Sequence, residues 1–392
     1  MIHTSIRRLT CLAVCGAATF FATAASAQDS YKIGLVSPLS GANARYGAFA
    51  NKGANLAAKE INAAGGVLGK KIEIVSGDSQ CVPAEGVSAT KRMISFDKLP
   101  VIIGDVCSSV TLAMQPLAEE AGVLLVNAAS SNPMITYKAG VGGFKWTFRN
   151  YPTDEVRAAI VLEHSVKVRN LKSFAVLSVD SDYGRGAINF TKKYLPRYPE
   201  AKILSEDYYK EAETDFRPVL SKIRASGAQA ILMYGQADTT PIVARQMLEM
   251  GLGGKVFLVG NGEFNTAKTI AAAPSVMNGS IEAAAWLPEW TSARSQKFVE
   301  DYKKAYGGEV PLNQAYTHWE TTHLVAAAIK AANSLKSDDI RNALAKIKYD
   351  SAMGVVTFDD HNQAVLPMVL LEVADGKPVI KSAIATKIDY PK

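Results

Sequence analysis

The sequence predicts an α/β protein with two lobes, each a parallel sheet flanked by helices. Short apolar runs alternate with longer helical stretches, as in a parallel sheet that is covered on both faces. The alternation ends in the middle of the chain and starts again from residue 154, which indicates a second lobe. The chain has 392 residues, of which 48% are hydrophobic, enough for two cores of ordinary size.

The N-terminal residues have the features of a secretory signal. Arginines at positions 7 and 8 precede an uncharged apolar run over 9–24, and Ala-Ser-Ala ending at residue 27 matches a cleavage site. We therefore predict a cleaved leader over 1–27 and an exported mature protein. A membrane anchor is the alternative, but the run is short for a membrane span.

The first half of the mature chain alternates strands and helices from its start. Strand 31–36 ends at a Ser-Pro-Leu-Ser-Gly breaker, and helix 47–64 ends at a pair of glycines. The predicted strands of this half are 31–36, 72–75, 101–103 and 123–126, and the predicted helices are 47–64, 84–96 and 108–120.

The second half repeats the alternation and ends in a tail of two helices and two strands. Its predicted strands are 174–177, a weak 203–204, 230–233 and 256–259, and its predicted helices are 154–166, 185–195, 216–225 and 240–250. The tail has helices at 292–306 and 313–332 and strands at 355–358 and 368–373.

The loops after the strands are the expected place for a ligand. In open parallel sheets, ligands bind beyond the carboxyl ends of the strands, and two facing lobes would bring such loops to one cleft. The loops selected by this rule are 37–46, 78–83, 104–109, 127–133, 180–184, 234–238 and 260–264.

Two cysteines, Cys81 and Cys107, remain after removal of the leader. In an exported chain an even pair is read most simply as one disulfide, with two buried thiols as the alternative. A ring of this length would stabilise the fold by about 3–4 kcal/mol.

Charge and motifs argue against nucleic acid and against catalysis. The formal net charge of +6 is modest, and no block of basic residues occurs. The sequence contains no G-x-S-x-G elbow, no zinc H-E-x-x-H motif and no G-x-G-x-x-G after a strand. We expect no enzyme, no metal and no cofactor. An exported hydrolase using Ser108, His164 and Asp182 is the rival from another class.

Several segments, taken in order, resemble the type I periplasmic solute-binding proteins of ABC importers, with the leucine/isoleucine/valine-binding group as the nearest branch. The resemblance covers essentially the whole mature chain. It rests on the following segments: Ile33-Gly34 to Gly41 with Tyr46-Gly47, Ile61-Asn62 to Gly69, Gly104 to Ser109, and Asp180 to Gly184.

The resemblance implies a clamshell of two lobes joined by three crossovers, with residues 28–149 and 285–362 in lobe 1 and 150–284 and 363–392 in lobe 2. It also implies a Cys81–Cys107 disulfide, a periplasmic location and no cofactor. The expected partners are a small solute, most simply a branched-chain-like amino acid, and an inner-membrane ABC permease. We expect a monomer.

Three candidate ligand residues of the first lobe follow from the resemblance. Ser108 matches the serine that binds the ligand carboxylate, and it opens a predicted helix whose free N–H groups suit an anion; a plain N-cap is the alternative. Ala129 matches a backbone carbonyl position and Ser131 a hydroxyl position, with Ser130 one residue away. A turn before Pro133 would also explain these serines.

Three further candidates complete the predicted site. Tyr46 and Tyr183 match one aromatic wall residue in each lobe, although ordinary packing competes. Glu263 would pair with the α-ammonium, as in branched-chain amino-acid binders, but it stands one position later than expected and could be an exposed loop carboxylate. Gln236 replaces a tyrosine of close relatives, which leaves an aromatic carboxylate or a short amide as the alternative ligand.

Overall fold

The computed structural model describes residues 30–236, 238–385 and 388–390, so the predicted leader over 1–27 lies outside the described residues. None of the helices in these ranges has the length and apolar character needed to cross a membrane. The strands are β1 Tyr31–Ser37, β2 Ile72–Asp78, β3 Val101–Gly104, β4 Leu124–Asn127, β5 Thr147–Arg149, β6 Ser173–Val179, β7 Lys202–Tyr209, β8 Ala230–Tyr234, β9 Phe257–Asn261, β10 Ile281–Ala284, β11 Tyr349–Ser351, β12 Gly354–Val356, β13 Pro367–Ala374 and β14 Lys377–Ala385. The α-helices are α1 Ala44–Ala63, α2 Pro83–Ser95, α3 Ser108–Ala121, α4 Met134–Tyr137, α5 Asp154–Glu163, α6 Asp182–Tyr194, α7 Arg217–Ser226, α8 Thr240–Glu249, α9 Ala267–Ala272, α10 Pro274–Met277, α11 Ala293–Ala305, α12 Asn313–Ala332 and α13 Ser337–Leu344.

The first sheet is parallel throughout and has the order β2-β1-β3-β4-β5. Its inner strands β3 and β4 are apolar and fully buried, as expected of strands covered on both faces. The register pairs Gly104 with Asn127, so β3 and β4 end at the same level. The loops that carry Ser108 and Ala129 therefore leave the same edge of the sheet.

The second sheet is mixed and has the order β14-β13-β10-β9-β8-β6-β7. Strands β7, β6, β8, β9 and β10 run parallel, and an antiparallel hairpin of β13 and β14 extends the sheet. Asp375 and Gly376 form the hairpin turn with φ of 48° and 73°. Two left-handed residues give the turn the twist that adjacent antiparallel strands need.

The chain passes between the two sheets three times, after β5, after β10 and after β12. Helix α12 returns to the first sheet and packs on α1 so closely that a Cβ at Gly53 would lie 2.0 Å from the Ala315 carbonyl oxygen. Buried Arg149 lies where the first passage begins, and Gln363 lies on the third. Arg149 Nε donates to Gln363 Oε1 at 2.6 Å, and this bond links the two passages. The residue boundaries given above for the lobes stay a prediction.

Candidate functional site

A cavity of about 70 Å³ lies where the carboxyl ends of strands from both sheets meet. The chain contributes to it from loops of both sheets and from the segments between them. The lining residues include Asn43, Tyr46, Ser108, Ser109, Ala129 and Ser131 from the first sheet's side, Ser181, Tyr183, Glu211, Gly235, Gln236 and Asn261 from the second sheet's side, and Tyr151, Arg157 and Gln314 between them. Five of the six predicted ligand residues thus share one cavity, and Glu263 does not line it.

Ser108 lies at the first residue of α3 and is 2% exposed. Its Oγ accepts a long hydrogen bond from Asn132 N at 3.3 Å, so its own proton is free to be donated. The first helical bond of α3 joins Thr111 N to Cys107 O, which leaves the preceding N–H groups at the cavity. Cys107, the residue before α3, is fixed by the Cys81–Cys107 disulfide, and both cysteines also line the cavity. A hydroxyl and helix N–H groups at one place form a site for an anion.

Ser131 and Ala129 lie in a tightly folded loop after β4. Asn127 Oδ1 accepts from Ala129 N at 2.8 Å and from Ser130 N at 2.9 Å, an Asx turn that fixes the loop. The Ser131 hydroxyl donates to Asp154 Oδ2 at 2.9 Å. Because that proton is used, Ser131 can present only a lone pair to a ligand.

Three tyrosines form the aromatic walls of the cavity. The Tyr183 hydroxyl donates to Asn261 Oδ1 at 2.8 Å, and Tyr151 accepts from Asn313 Nδ2 at 2.9 Å. Burial raises the pKa of Tyr183 well above its usual value, so its hydroxyl stays protonated. Tyr46 on α1 stands on the other side of the cavity. The rings offer apolar surface while the hydroxyls of Tyr183 and Tyr151 remain paired.

Glu211 is a cavity residue that the sequence analysis did not find. It follows β7 and receives hydrogen bonds from Asn43 Nδ2 at 2.8 Å and from Gln236 Nε2 at 3.3 Å. Burial raises the pKa of Glu211, and these two donors counteract the shift. The sequence predicts only a weak strand over 203–204, so the strand-end rule does not select the loop after β7. The alternating burial of β7 is the signal of an edge strand.

Arg157 on α5 is a second residue that the sequence analysis missed. It is 1% exposed, pairs with buried Asp154 and donates from Nε to the Ala283 carbonyl at 2.9 Å. Burial acts to lower the pKa of Arg157, but the carboxylate of Asp154 and the surrounding tyrosines together outweigh burial and raise it. The guanidinium is therefore a fixed cation beside the cavity, neutralised on one side by Asp154.

Glu263 follows β9 and lies in a neighbouring cavity of about 310 Å³. The residue is 8% exposed and has a left-handed φ of 54°, a conformation that costs about 1 kcal/mol in a residue other than glycine. Burial raises the pKa of Glu263 to about 8, and Glu282 adds to the shift while Arg45 opposes it. The alternative of an exposed loop carboxylate is therefore wrong.

Loops of the two sheets contact each other around the first cavity. Besides the bond from Asn43 to Glu211, Asn132 Nδ2 donates to the Asp182 carbonyl at 2.6 Å. A third contact joins Arg45 to Asp238 at 3.5 Å. These contacts bridge the cleft between the two sheets.

The residues of the rival hydrolase do not form a triad. His164 Nε2 is 2.7 Å from Glu372 Oε1 on β13. Ser108 Oγ accepts its hydrogen bond from the backbone amide of Asn132 and not from a histidine. A catalytic serine needs its base within hydrogen-bond reach. The arrangement can bind and orient a polar solute through Ser108 and Glu211.

The structure consists of two α/β units that are joined by three passages of the chain, and the strand-end loops of both units face one cavity. This arrangement defines a two-lobed solute-binding protein. The chain belongs to the periplasmic binding protein family, whose model matches residues 30–378. The predicted family and fold class are confirmed. The prediction that the protein is not an enzyme is confirmed as well, because members of this family bind solutes for transporters.

Relatives of known name agree with this assignment. An amino acid binding protein of Pseudomonas aeruginosa is 29% identical over 327 residues, which cover 81% of this chain and 85% of that protein. The Leu/Ile/Val-binding protein homolog 1 of Brucella suis is 28% identical and covers 92% of this chain and 95% of its own length. The branched-chain amino acid transporter substrate binding protein of Streptococcus pneumoniae, solved in complex with isoleucine, has a TM-score of 0.80 at 25% identity, covering 92% of this chain and 100% of that one.

Proposed function

We propose that the chain is the exported substrate-binding component of an ABC importer and that it captures a small amino acid between its lobes. Branched-chain amino acids are the first candidates, because named relatives bind or are named for them. The observation that carries the proposal is that one cavity contains both a group that binds anions and a group that binds cations. Ser108 and the start of α3 attract an anion, and Glu211 attracts a cation from the other lobe.

An α-amino acid satisfies both ends of this arrangement. Its carboxylate would accept from the Ser108 hydroxyl and the first N–H groups of α3. Its ammonium would donate to the Glu211 carboxylate and to the Ser131 oxygen, whose own proton is held by Asp154. The side chain would pack against the tyrosine rings. An aromatic carboxylate would satisfy Ser108 but leave Glu211 without a cation.

Binding would be coupled to closure of the two lobes. Periplasmic binding proteins are a known example of proteins whose lobes close around a ligand by a hinge motion. A solute favours the closed state only through contacts that it makes with both lobes at once. Ser108 and Glu211 supply such contacts here, so closure would report the presence of the solute to the permease. We place the protein in the periplasm, as a monomer, after removal of residues 1–27.

Calorimetric titration of the purified, ligand-free protein tests the proposal. The panel contains leucine, isoleucine, valine, benzoate and a short amide, and the variants are Glu211→Gln and Glu213→Gln. Glu213 is exposed in the same loop, so it is the matched control. A buried bond to a charged group gives about a tenfold or larger loss of amino-acid affinity for Glu211→Gln and none for the control.

Selective binding of benzoate or of the amide, with no response to any amino acid, would contradict the proposal and favour the alternative ligand. Equal affinity of the wild type and Glu211→Gln for amino acids would remove Glu211 from the site. A soluble fraction that shows the 1–27 segment still attached after export would contradict the cleaved leader.

A further inference from the structure

The cavity that Glu263 lines is adjacent to the proposed amino-acid site. Its volume is about 310 Å³, and it shares four lining residues with the smaller cavity, namely Tyr46, Tyr151, Asn261 and Gln314. Its other walls are largely apolar on one side, where Trp286, Pro288 and Leu312 line it. The second space thus begins at the residues that also border the proposed amino-acid site, and a longer solute would reach it between Tyr46 and Tyr151. We call this space the distal cavity.

Backbone hydrogen bonds fix the loop that places Glu263 in the wall of the distal cavity. Glu282 is 1% exposed, and its carboxylate accepts from Glu263 N at 2.9 Å, from Asn265 N at 3.1 Å and from Gly262 N at 3.3 Å. These bonds fix the loop after β9 and hold Glu263 in its left-handed conformation. A strained backbone of this kind persists only where the surrounding structure fixes it.

The carboxylate of Glu263 is buried and lacks partners of normal geometry. Neither Oε1 nor Oε2 forms a hydrogen bond with any residue in the described part of the chain, although the Gln314 amide lies close by. A buried carboxylate without donors is costly, and this cost is why Glu263 keeps its proton at neutral pH without ligand. A ligand cation beside it would favour the ionised form and supply the missing donors.

The two basic residues of the distal cavity are bound elsewhere. Arg45 and Lys268 both pair with Asp238, at 3.5 Å and 2.6 Å. Arg45 acts on Glu263 only through longer-range attraction. Glu289 lines the same cavity, so its lining has more acidic than basic groups. Such a site favours a positively charged hydrogen-bond donor over an apolar or anionic group.

We propose that the distal cavity is a second subsite of the ligand site, and that Glu263 binds the ammonium or guanidinium at the end of a long basic side chain. The class of solute is then an α-amino acid with a distal cation, held at its α-groups by Ser108 and Glu211. This inference rests on the proposed function and makes basic amino acids, in place of branched-chain ones, the first candidates for the ligand. The apolar walls at Trp286 and Leu312 would cover the methylene groups of such a side chain.

Titration calorimetry with L-lysine and L-norleucine tests this subsite, because the two differ only by the distal ammonium. The wild type is expected to bind lysine about tenfold or more tightly than norleucine, since a buried charge-assisted bond distinguishes them. Glu263→Gln is expected to bring the ratio of the two dissociation constants close to one. Glu213→Gln is the control and keeps the wild-type ratio. Thermal melting of each variant shows that it is folded.

The outcomes separate this inference from the proposed function. Norleucine binding with no preference for lysine, or a preference that survives Glu263→Gln in a folded protein, overturns the distal subsite and leaves amino-acid binding in place. Absence of binding by every α-amino acid in the wild type overturns both.

Discussion

Replacing Ser108 and Ser131 separately should give different results, although both serines line the same cavity. Ser108 Oγ only accepts one long hydrogen bond of 3.3 Å within the protein, so Ser108→Ala should lower the free energy of unfolding by less than about 1 kcal/mol. Under the proposed function, its proton is donated to the ligand carboxylate. Loss of a hydrogen bond to a charged group is worth about 1.5–3 kcal/mol, so the dissociation constant for the amino acid should rise roughly 10- to 150-fold.

Ser131→Ala removes a donor to Asp154, which is fully buried. The free energy of unfolding without ligand should therefore fall by about 1–3 kcal/mol. Urea unfolding measures stability for both variants, and titration calorimetry measures affinity. Unchanged affinity in Ser108→Ala would refute carboxylate binding at the start of α3. Equal stability losses in the two variants would refute the distinction between their hydrogen bonds.

Three further predictions concern stability. Reduction of the Cys81–Cys107 disulfide, whose cysteines are 26 residues apart, should lower the free energy of unfolding by about 3.5 kcal/mol, and an unchanged melting temperature under reductant would contradict this. Folded Glu263 holds its proton more tightly than the unfolded chain does, so the stability of the wild type relative to Glu263→Gln should fall as pH rises from about 4.5 to 8, by at most about 1.4 kcal/mol per pH unit. A flat difference between the two denaturation curves over this range would show that Glu263 is not desolvated. Arg157→Met leaves Asp154 buried without its partner and should cost about 3–5 kcal/mol, with partial recovery when Asp154→Asn is added. No recovery in the double variant would mean that Arg157 acts through packing alone.

Much of the fold was accessible from apolar patterning. Strands β3, β4 and β8 are apolar runs bounded by breakers, and the structure buries each of them completely. Strands β5 and β10 were missed because Thr-Phe-Arg and Ile-Glu-Ala-Ala carry charged residues, whose burial depends on partners far away in the chain. Strand β14 was missed because an edge strand alternates exposed and partly buried residues. The Asp-Gly pair before it was an available hairpin signal.

Part of the site could also be predicted from the sequence, for a different reason. The loops that directly follow central strands could be placed near one another, because parallel strands end at one edge. Within those loops, Ser108, Ala129 and Tyr183 were singled out by the family resemblance, and all three line the cavity. Glu211 follows an edge strand, and Arg157 lies in the first turn of a helix. In the sequence, neither residue differs from an ordinary charged residue on the surface. The direction of the Glu263 side chain depends on the backbone bonds to Glu282, which no local pattern reveals.

The sequence alone determined the alternating α/β architecture and most of the loops that form the cleft, because periodicity and strand-end residues are local properties of the chain. Its ordered motifs also gave the family. Only the tertiary structure decided which charges meet inside the cleft. Glu211 is brought to Asn43 by the meeting of the two lobes, and Arg157 is brought to the Ala283 carbonyl by the packing of α5 on β10. A charged residue is costly to bury without a partner, and the partner is chosen by packing between segments that are distant in sequence.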